Sequence, residues 1–157
     1  MRVAVAFGSN LGNRRQAILD AASSVGQFLS SFTLSSIIET SPVGIGLEND
    51  PPYLNAVGMG ESDRPVREIF EALKRIEQDA GRTRPYRGAP RTLDLDLILA
   101  GNEVVEEGDL QVPHPRFRER LFVLDPLIEI APDLVDPISG LTIRALRDRV
   151  QKEKAGA

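Results

Sequence analysis

The chain opens on a short apolar run, Val3-Ala4-Val5-Ala6-Phe7, which stops at Gly8-Ser9-Asn10. The run is too short for a secretory core or a membrane span and predicts a first β-strand. Asn10 to Asn13 supplies turn and cap residues. Beyond it Ile18, Ala22, Val25 and Leu29 recur at helical spacing, which predicts one amphipathic helix. A β-rich stretch from Thr33 to Thr40 follows. Ser41 to Pro52 then concentrates three prolines and two glycines and reads as a long loop. Tyr53 to Glu61 alternates as a strand. Ser62 or Asp63 is expected to cap the next helix, with Pro65 in its first turn. Val66, Ile69, Phe70, Leu73 and Ile76 form that helix's buried stripe, and Gly81 is placed to end it.

A second loop, Arg82 to Pro90, leads into a strand over Thr92 to Ala100 and a turn at Gly101-Asn102. Glu103 to Val105 and Leu110 to Val112 suggest a short hairpin. Pro113 to Arg120 reads as irregular or a short helix, and Phe122 to Ile130 as helical despite Pro126. Thr142 to Val150 is amphipathic, and the polar tail from Gln151 to Ala157 is expected to fray. The order strand, helix, strand, strand, helix, strand predicts an α+β sandwich of the ferredoxin-like, split βαβ kind with C-terminal additions. Residues 1–150 form one expected domain. A doubly wound parallel sheet would need a helix between Thr40 and Tyr53, where proline and glycine dominate.

Composition narrows the chemistry. A chain of 157 residues, 41% hydrophobic and 27% charged, falls in the globular range. The absence of cysteine excludes disulfides, thiolate zinc sites and cysteine nucleophiles, and it suits a cytoplasmic location. With one histidine, His114, any metal must be held mainly by oxygen. The net charge of −4 argues against a general nucleic-acid surface. Within this acidic chain Arg82, Arg84, Arg87 and Arg91 nevertheless form a basic island.

That island runs directly into Arg91-Thr92-Leu93-Asp94-Leu95-Asp96-Leu97-Ile98-Leu99. On a strand Asp94 and Asp96 share one face, which turns apolar at Ile98, so the pair sits where surface becomes core. Two like charges this close repel, and a cation between them removes the cost. A bare pair of aspartates on a strand is more often a solvated edge. Beside clustered arginines it suits a polyphosphate, with Mg²⁺ on the carboxylates and guanidinium groups on the remaining oxygens. Tyr53 and Asn55 share a face of their strand, and an asparagine amide suits the edge of a heterocycle. Gly8-Ser9-Asn10-Leu11-Gly12 lacks both the P-loop lysine and a dinucleotide fingerprint, and reads as a tight turn.

Gly8-Ser9-Asn10-Leu11-Gly12, Tyr53-Leu54-Asn55-Ala56, Pro90-Arg91-Thr92-Leu93-Asp94-Leu95-Asp96 and Val112-Pro113-His114-Pro115 together resemble the 6-hydroxymethyl-7,8-dihydropterin pyrophosphokinase family. The resemblance runs from about Val3 to beyond Pro137. It implies transfer of the β,γ-diphosphate of ATP to the pterin hydroxymethyl group, with AMP leaving. It further implies two Mg²⁺ ions held by Asp94 and Asp96, and Arg82 and Arg84 on a loop that closes over the phosphates. ATP contacts would come from Glu77, Arg91, Leu97, Gln111, His114 and Arg120. Pterin contacts would come from Thr40, Ser41, Val43, Tyr53, Asn55 and Phe122, the two rings bracketing the heterocycle. Three positions depart from relatives: Gly88 stands where some carry a tryptophan, Asp109 where one has arginine, and Pro115 where an aromatic follows the histidine. Rival readings are a Mg²⁺-dependent kinase or nucleotidyl transferase on another substrate, and a non-catalytic ligand-binding module. No nucleic acid or membrane partner is expected.

Overall fold

The computed structural model describes residues 1–10, 13–40, 52–81 and 93–155. In chain order the elements are β1 (Arg2–Ser9), α1 (Arg14–Val25), β2 (Ser30–Leu34), β3 (Ile38–Thr40), β4 (Tyr53–Glu61) and α2 (Val66–Gly81). There follow β5 (Asp94–Ala100), β6 (Val105–Glu107), β7 (Leu110–Val112), a 3₁₀ turn (Phe117–Glu119), α3 (Leu121–Ile130) and α4 (Ile143–Ala155). The fold is α+β, with an antiparallel main sheet in the order β2-β4-β1-β5 and β3 also paired to β4. β6 and β7 form a separate hairpin.

Strand alternation divides the apolar residues between two cores. Val3, Val5 and Phe7 of β1 and Leu95 and Leu97 of β5 pack with Ile18 and Val25 of α1 and Ile69 and Leu73 of α2. On the opposite face Ala4, Val57, Ile98 and Leu99 meet Val123, Leu124 and Leu127 of α3 and Ile143, Leu146 and Val150 of α4. The sheet thus lies between two helical layers, and the C-terminal helices cover the face that α1 and α2 leave. In β5 the register shifts: Ala4 pairs with Leu99 and Val5 with Leu97, so Ile98 is an extra residue. The Ile98 carbonyl accepts the His114 N–H at 2.9 Å. Among the described residues no helix is long and apolar enough to cross a membrane.

Several expected boundaries move. The single strand expected from Thr33 is two, because the Ser35 hydroxyl accepts the Val57 N–H at 2.9 Å and breaks the strand between Leu34 and Ile38. Ser62 Oγ accepts from Arg64 N rather than capping α2, which begins after Pro65, whose carbonyl takes the Glu68 N–H. Leu29 is buried but lies past the end of α1. The first hairpin strand is Val105–Glu107, two residues later than expected. Gln151, expected to begin a frayed tail, lies inside α4, which continues to Ala155. Val150 is buried just before it and ties this end of the helix to the second core.

Candidate active site

The period of two along β4 turns Tyr53, Asn55 and Val57 toward the layer of α3 and α4, and along β5 it turns Asp94 and Asp96 the same way. Val57 and Ile98 are deep enough to join the second core. The polar members lie nearer the mouth, with Asp94 exposed and Asp96 half-buried. Between them opens a cavity of about 630 Å³. Thr40, Tyr53, Asn55 and Phe122 line it alongside Asp94, Asp96 and Arg120. One space therefore holds four of the expected heterocycle-binding residues and both expected metal-binding carboxylates.

Asn55 is nearly buried and its Nδ2 donates to Thr40 Oγ1 at 2.6 Å. The pairing of β3 with β4 sets up that contact, since Thr40 stands opposite Tyr53 and Ile38 opposite Asn55. The bond leaves the amide oxygen on the side of Gly8, where a Cβ would lie 3.5 Å from it. Arg120, the extended residue just before α3, stacks its guanidinium over the Phe122 ring at 5.5 Å. That contact holds a cation at the edge of an aromatic wall. The 3₁₀ turn leading to Arg120 is anchored by Arg118, whose Nη2 donates to the buried Asp136 at 2.9 Å.

A second cavity of about 190 Å³ shares Asp96 and is lined by Leu97, Gln111 and His114, with Lys74 and Phe70 from α2. Burial holds the His114 imidazole below its ordinary value; Arg120 and Arg116 push the same way, while Asp96 opposes them. Its Nδ1 accepts the Arg116 N–H at 3.2 Å, which fixes the ring. Glu77 lines neither cavity. Its carboxylate accepts the Leu95 N–H at 3.1 Å and pairs with Lys74 at 3.2 Å, joining α2 to β5 beside the smaller space. Asp109 and Pro115 line the smaller cavity too, and Arg67 holds Asp109 at 3.3 Å, tying the β6–β7 hairpin to α2.

Arg82, Arg84, Arg91, Ser41 and Val43 lie outside the described residues, as does Gly88. Among the described residues no group of three or more metal-ligating side chains converges. Two neighbouring carboxylates facing an open cavity nevertheless match the demand of Mg²⁺, which takes one or two and fills its other positions with water and phosphate oxygens. Among the cavity residues not expected from the sequence are Gly8, expected in a turn but lying within β1, Lys74 on α2, and Lys154 on α4. Lys154 had a signal, because it stands four residues after the apolar Val150.

Comparison with known proteins points the same way. The family model described as 7,8-dihydro-6-hydroxymethylpterin-pyrophosphokinase (HPPK) matches residues 4–132. The chain is 40% identical over 155 residues to the 2-amino-4-hydroxy-6-hydroxymethyldihydropteridine pyrophosphokinase of Bacillus subtilis, covering 97% of this chain and 91% of that protein. It is 38% identical over 139 residues to the Haemophilus influenzae protein of the same name, covering 87% and 86% respectively. A folic acid synthesis protein of Pneumocystis carinii is 34% identical over 94% of this chain, and the match spans only 20% of that longer protein. In fold the chain is similar to the crystal structure of an HPPK-DHPS protein in complex with substrates, with a TM-score of 0.72 at 15% identity over 97% of this chain and 44% of that one. With the family model spanning most of its length and full-length relatives at this identity, the chain belongs to the 7,8-dihydro-6-hydroxymethylpterin pyrophosphokinase family.

Proposed function

We propose that the protein transfers the β,γ-diphosphate of ATP to the hydroxymethyl group of 6-hydroxymethyl-7,8-dihydropterin, releasing AMP, in folate biosynthesis. The observation that carries this reading is the shared cavity, in which the Asn55 amide and the rings of Tyr53 and Phe122 stand beside Asp94 and Asp96. A flat, neutral heterocycle suits the first group and a charged polyphosphate the second. The strand order β2-β4-β1-β5, with both crossover helices on one face, supports a ferredoxin-like, split βαβ description of the fold.

In this reading Asn55, oriented by Thr40, reads the amide-like edge of the pterin while Tyr53 and Phe122 bracket its ring. The hydroxymethyl group then points toward β5. Its oxygen attacks the β-phosphorus, the bond to the α,β-bridging oxygen breaks, and that oxygen departs with AMP while the hydroxyl proton is released. Asp94 and Asp96 would hold Mg²⁺, which supplies positive charge against the phosphate oxygens. Arg120 adds a fixed cation at the cavity edge, and Arg82, Arg84 and Arg91 are assigned to the phosphates as well. His114, whose imidazole burial holds below its ordinary value, and Gln111 and Leu97 place the rest of the nucleotide in the smaller space.

The test is a nucleotide-product assay with MgATP and the pterin, run in parallel on Asp96→Ala. Pterin-dependent AMP that disappears in the variant supports the assignment. ADP would indicate a simple kinase and pyrophosphate a nucleotidyl transferase, and either would overturn it. Pterin binding without any turnover would leave a ligand-binding module.

A further inference from the structure

Helix α4 lies beyond the segment matched by the family model, which ends at residue 132, yet it reaches the large cavity. Ile143, Leu146 and Val150 form its buried stripe at spacings of three and four. One turn further, the same stripe carries Lys154 instead of another apolar residue. At that point the second core ends and the cavity begins: Lys154 lines it with Asp94, Asp96, Arg120 and Phe122. Lys154 is itself exposed, so its stem can lie along the end of the stripe while its ammonium stays in water or meets an anion at the cavity mouth. Among the described residues no ion pair engages it. Lys152, two residues earlier, lies off the stripe and does not line the cavity.

We propose that Lys154 is a substrate-binding residue whose ammonium takes oxygens of the diphosphate, first as the β,γ end of ATP and then on the product. The proposal rests on the diphosphate-transfer reading and adds a group to it. The pterin ring offers no anion, and its polar edge already faces Asn55. The diphosphate is the one charged group that must lie between Asp94, Asp96 and Arg120. It also moves as its bond to the α-phosphate breaks, and a point charge on a flexible stem can follow it where a rigid guanidinium fork cannot. The C-terminal helix therefore gains a part in turnover, holding the product's charged end after AMP has left.

The experiment compares wild type, Lys154→Ala, Lys154→Arg and Lys152→Ala by steady-state AMP formation and by inhibition with the diphosphorylated pterin product. Lys154→Ala is expected to lower kcat/KM for MgATP about tenfold or more and to weaken product inhibition similarly, the usual loss for one charged hydrogen bond. KM for the pterin stays unchanged, Lys154→Arg recovers only part of the loss because the charge returns without the flexible point contact, and Lys152→Ala behaves as wild type. Equal thermal melting of the four proteins separates this from a folding effect. The proposal is overturned if Lys154→Ala keeps MgATP and product parameters within about twofold of wild type, or if only the pterin KM changes. Wild-type protein that makes no pterin-dependent AMP overturns the function itself, which is a distinct result from an active wild type and an indifferent variant.

Discussion

Asn55 on β4 and Asp94 on β5 are both register partners of Gly8, which stands between them on β1. The floor joining the amide to the carboxylate is therefore bare backbone, and Gly8 lines the cavity. A Cβ there would touch Asn55 Oδ1 at 3.5 Å and Tyr53 Cδ1 at 4.0 Å, ordinary contacts, so the fold tolerates a small side chain. A branched one would project where the pterin is to lie. Gly8→Val should raise KM for the pterin by about tenfold, a loss on the scale of one well-placed contact, with the MgATP KM little changed. Steady-state kinetics with each substrate varied checks this, and an unchanged pterin KM would place the heterocycle elsewhere.

Replacing either Asp94 or Asp96 by asparagine keeps shape and removes charge. Each variant should lose on the order of 10² to 10³ in rate, as single stabilising groups in such sites do, and should need more Mg²⁺ for half-maximal rate. A Mg²⁺ titration of AMP formation reads both effects. EDTA should abolish the wild-type reaction, and full activity in EDTA would remove the metal from the account.

Acid should loosen the C-terminal layer through Asp136. Burial alone would raise its carboxyl, but hydrogen bonds from Arg118, Ser139 and the Ile138 N–H hold it down at about 2, against an ordinary 3.8. The folded value lies below the unfolded one, so the stabilisation is complete above pH 3.8 and is lost as pH falls through about 2. The difference corresponds to about 2 kcal/mol. Urea unfolding at successive pH values should show a steeper loss over that window in wild type than in Asp136→Asn, which should already be weaker at neutral pH. Parallel curves would show that the pair contributes nothing to acid sensitivity.

Ser35→Ala tests the break between β2 and β3. The Val57 N–H would lose its acceptor in a buried setting, which costs about 1–3 kcal/mol. A lowered urea midpoint with kcat and both KM values preserved is expected. A change in KM for the pterin would instead link this break to the seating of Thr40 on Asn55.

The sequence made some of the site readable and hid the rest for identifiable reasons. The shared face of Asp94 and Asp96 follows from a period of two and needs no tertiary knowledge. Tyr53 and Asn55 were legible on the same grounds, but the partnership of Asn55 with Thr40 depends on β3 folding back beside β4, which no local pattern encodes. Ser35 looked like any strand residue because its effect comes from a side chain that replaces a backbone partner. Lys154 was lost inside a polar run whose helical continuation depends on Val150 being buried against another layer. Asp136, in a turn rich in polar residues and proline, gave no hint that Arg118 would meet it. The cores themselves were largely anticipated along α1, α2 and β5, where apolar spacing is regular.

The extra residue at Ile98 puts β5 out of phase with itself. Before it, even-numbered positions face α3 and α4, including both aspartates; after it, odd-numbered Leu99 does, while Ala100 belongs to the other core. The strand can thus end in a continuous apolar anchor on the C-terminal side without spending an aspartate position to reach it. Because Ile98 also receives the His114 N–H, the same offset sets where the segment returning from the hairpin touches the sheet. Removing one residue here would shift both halves of the site at once. The spacing between the acidic mouth and the histidine is consequently a property of a single peptide unit, inherited together or lost together.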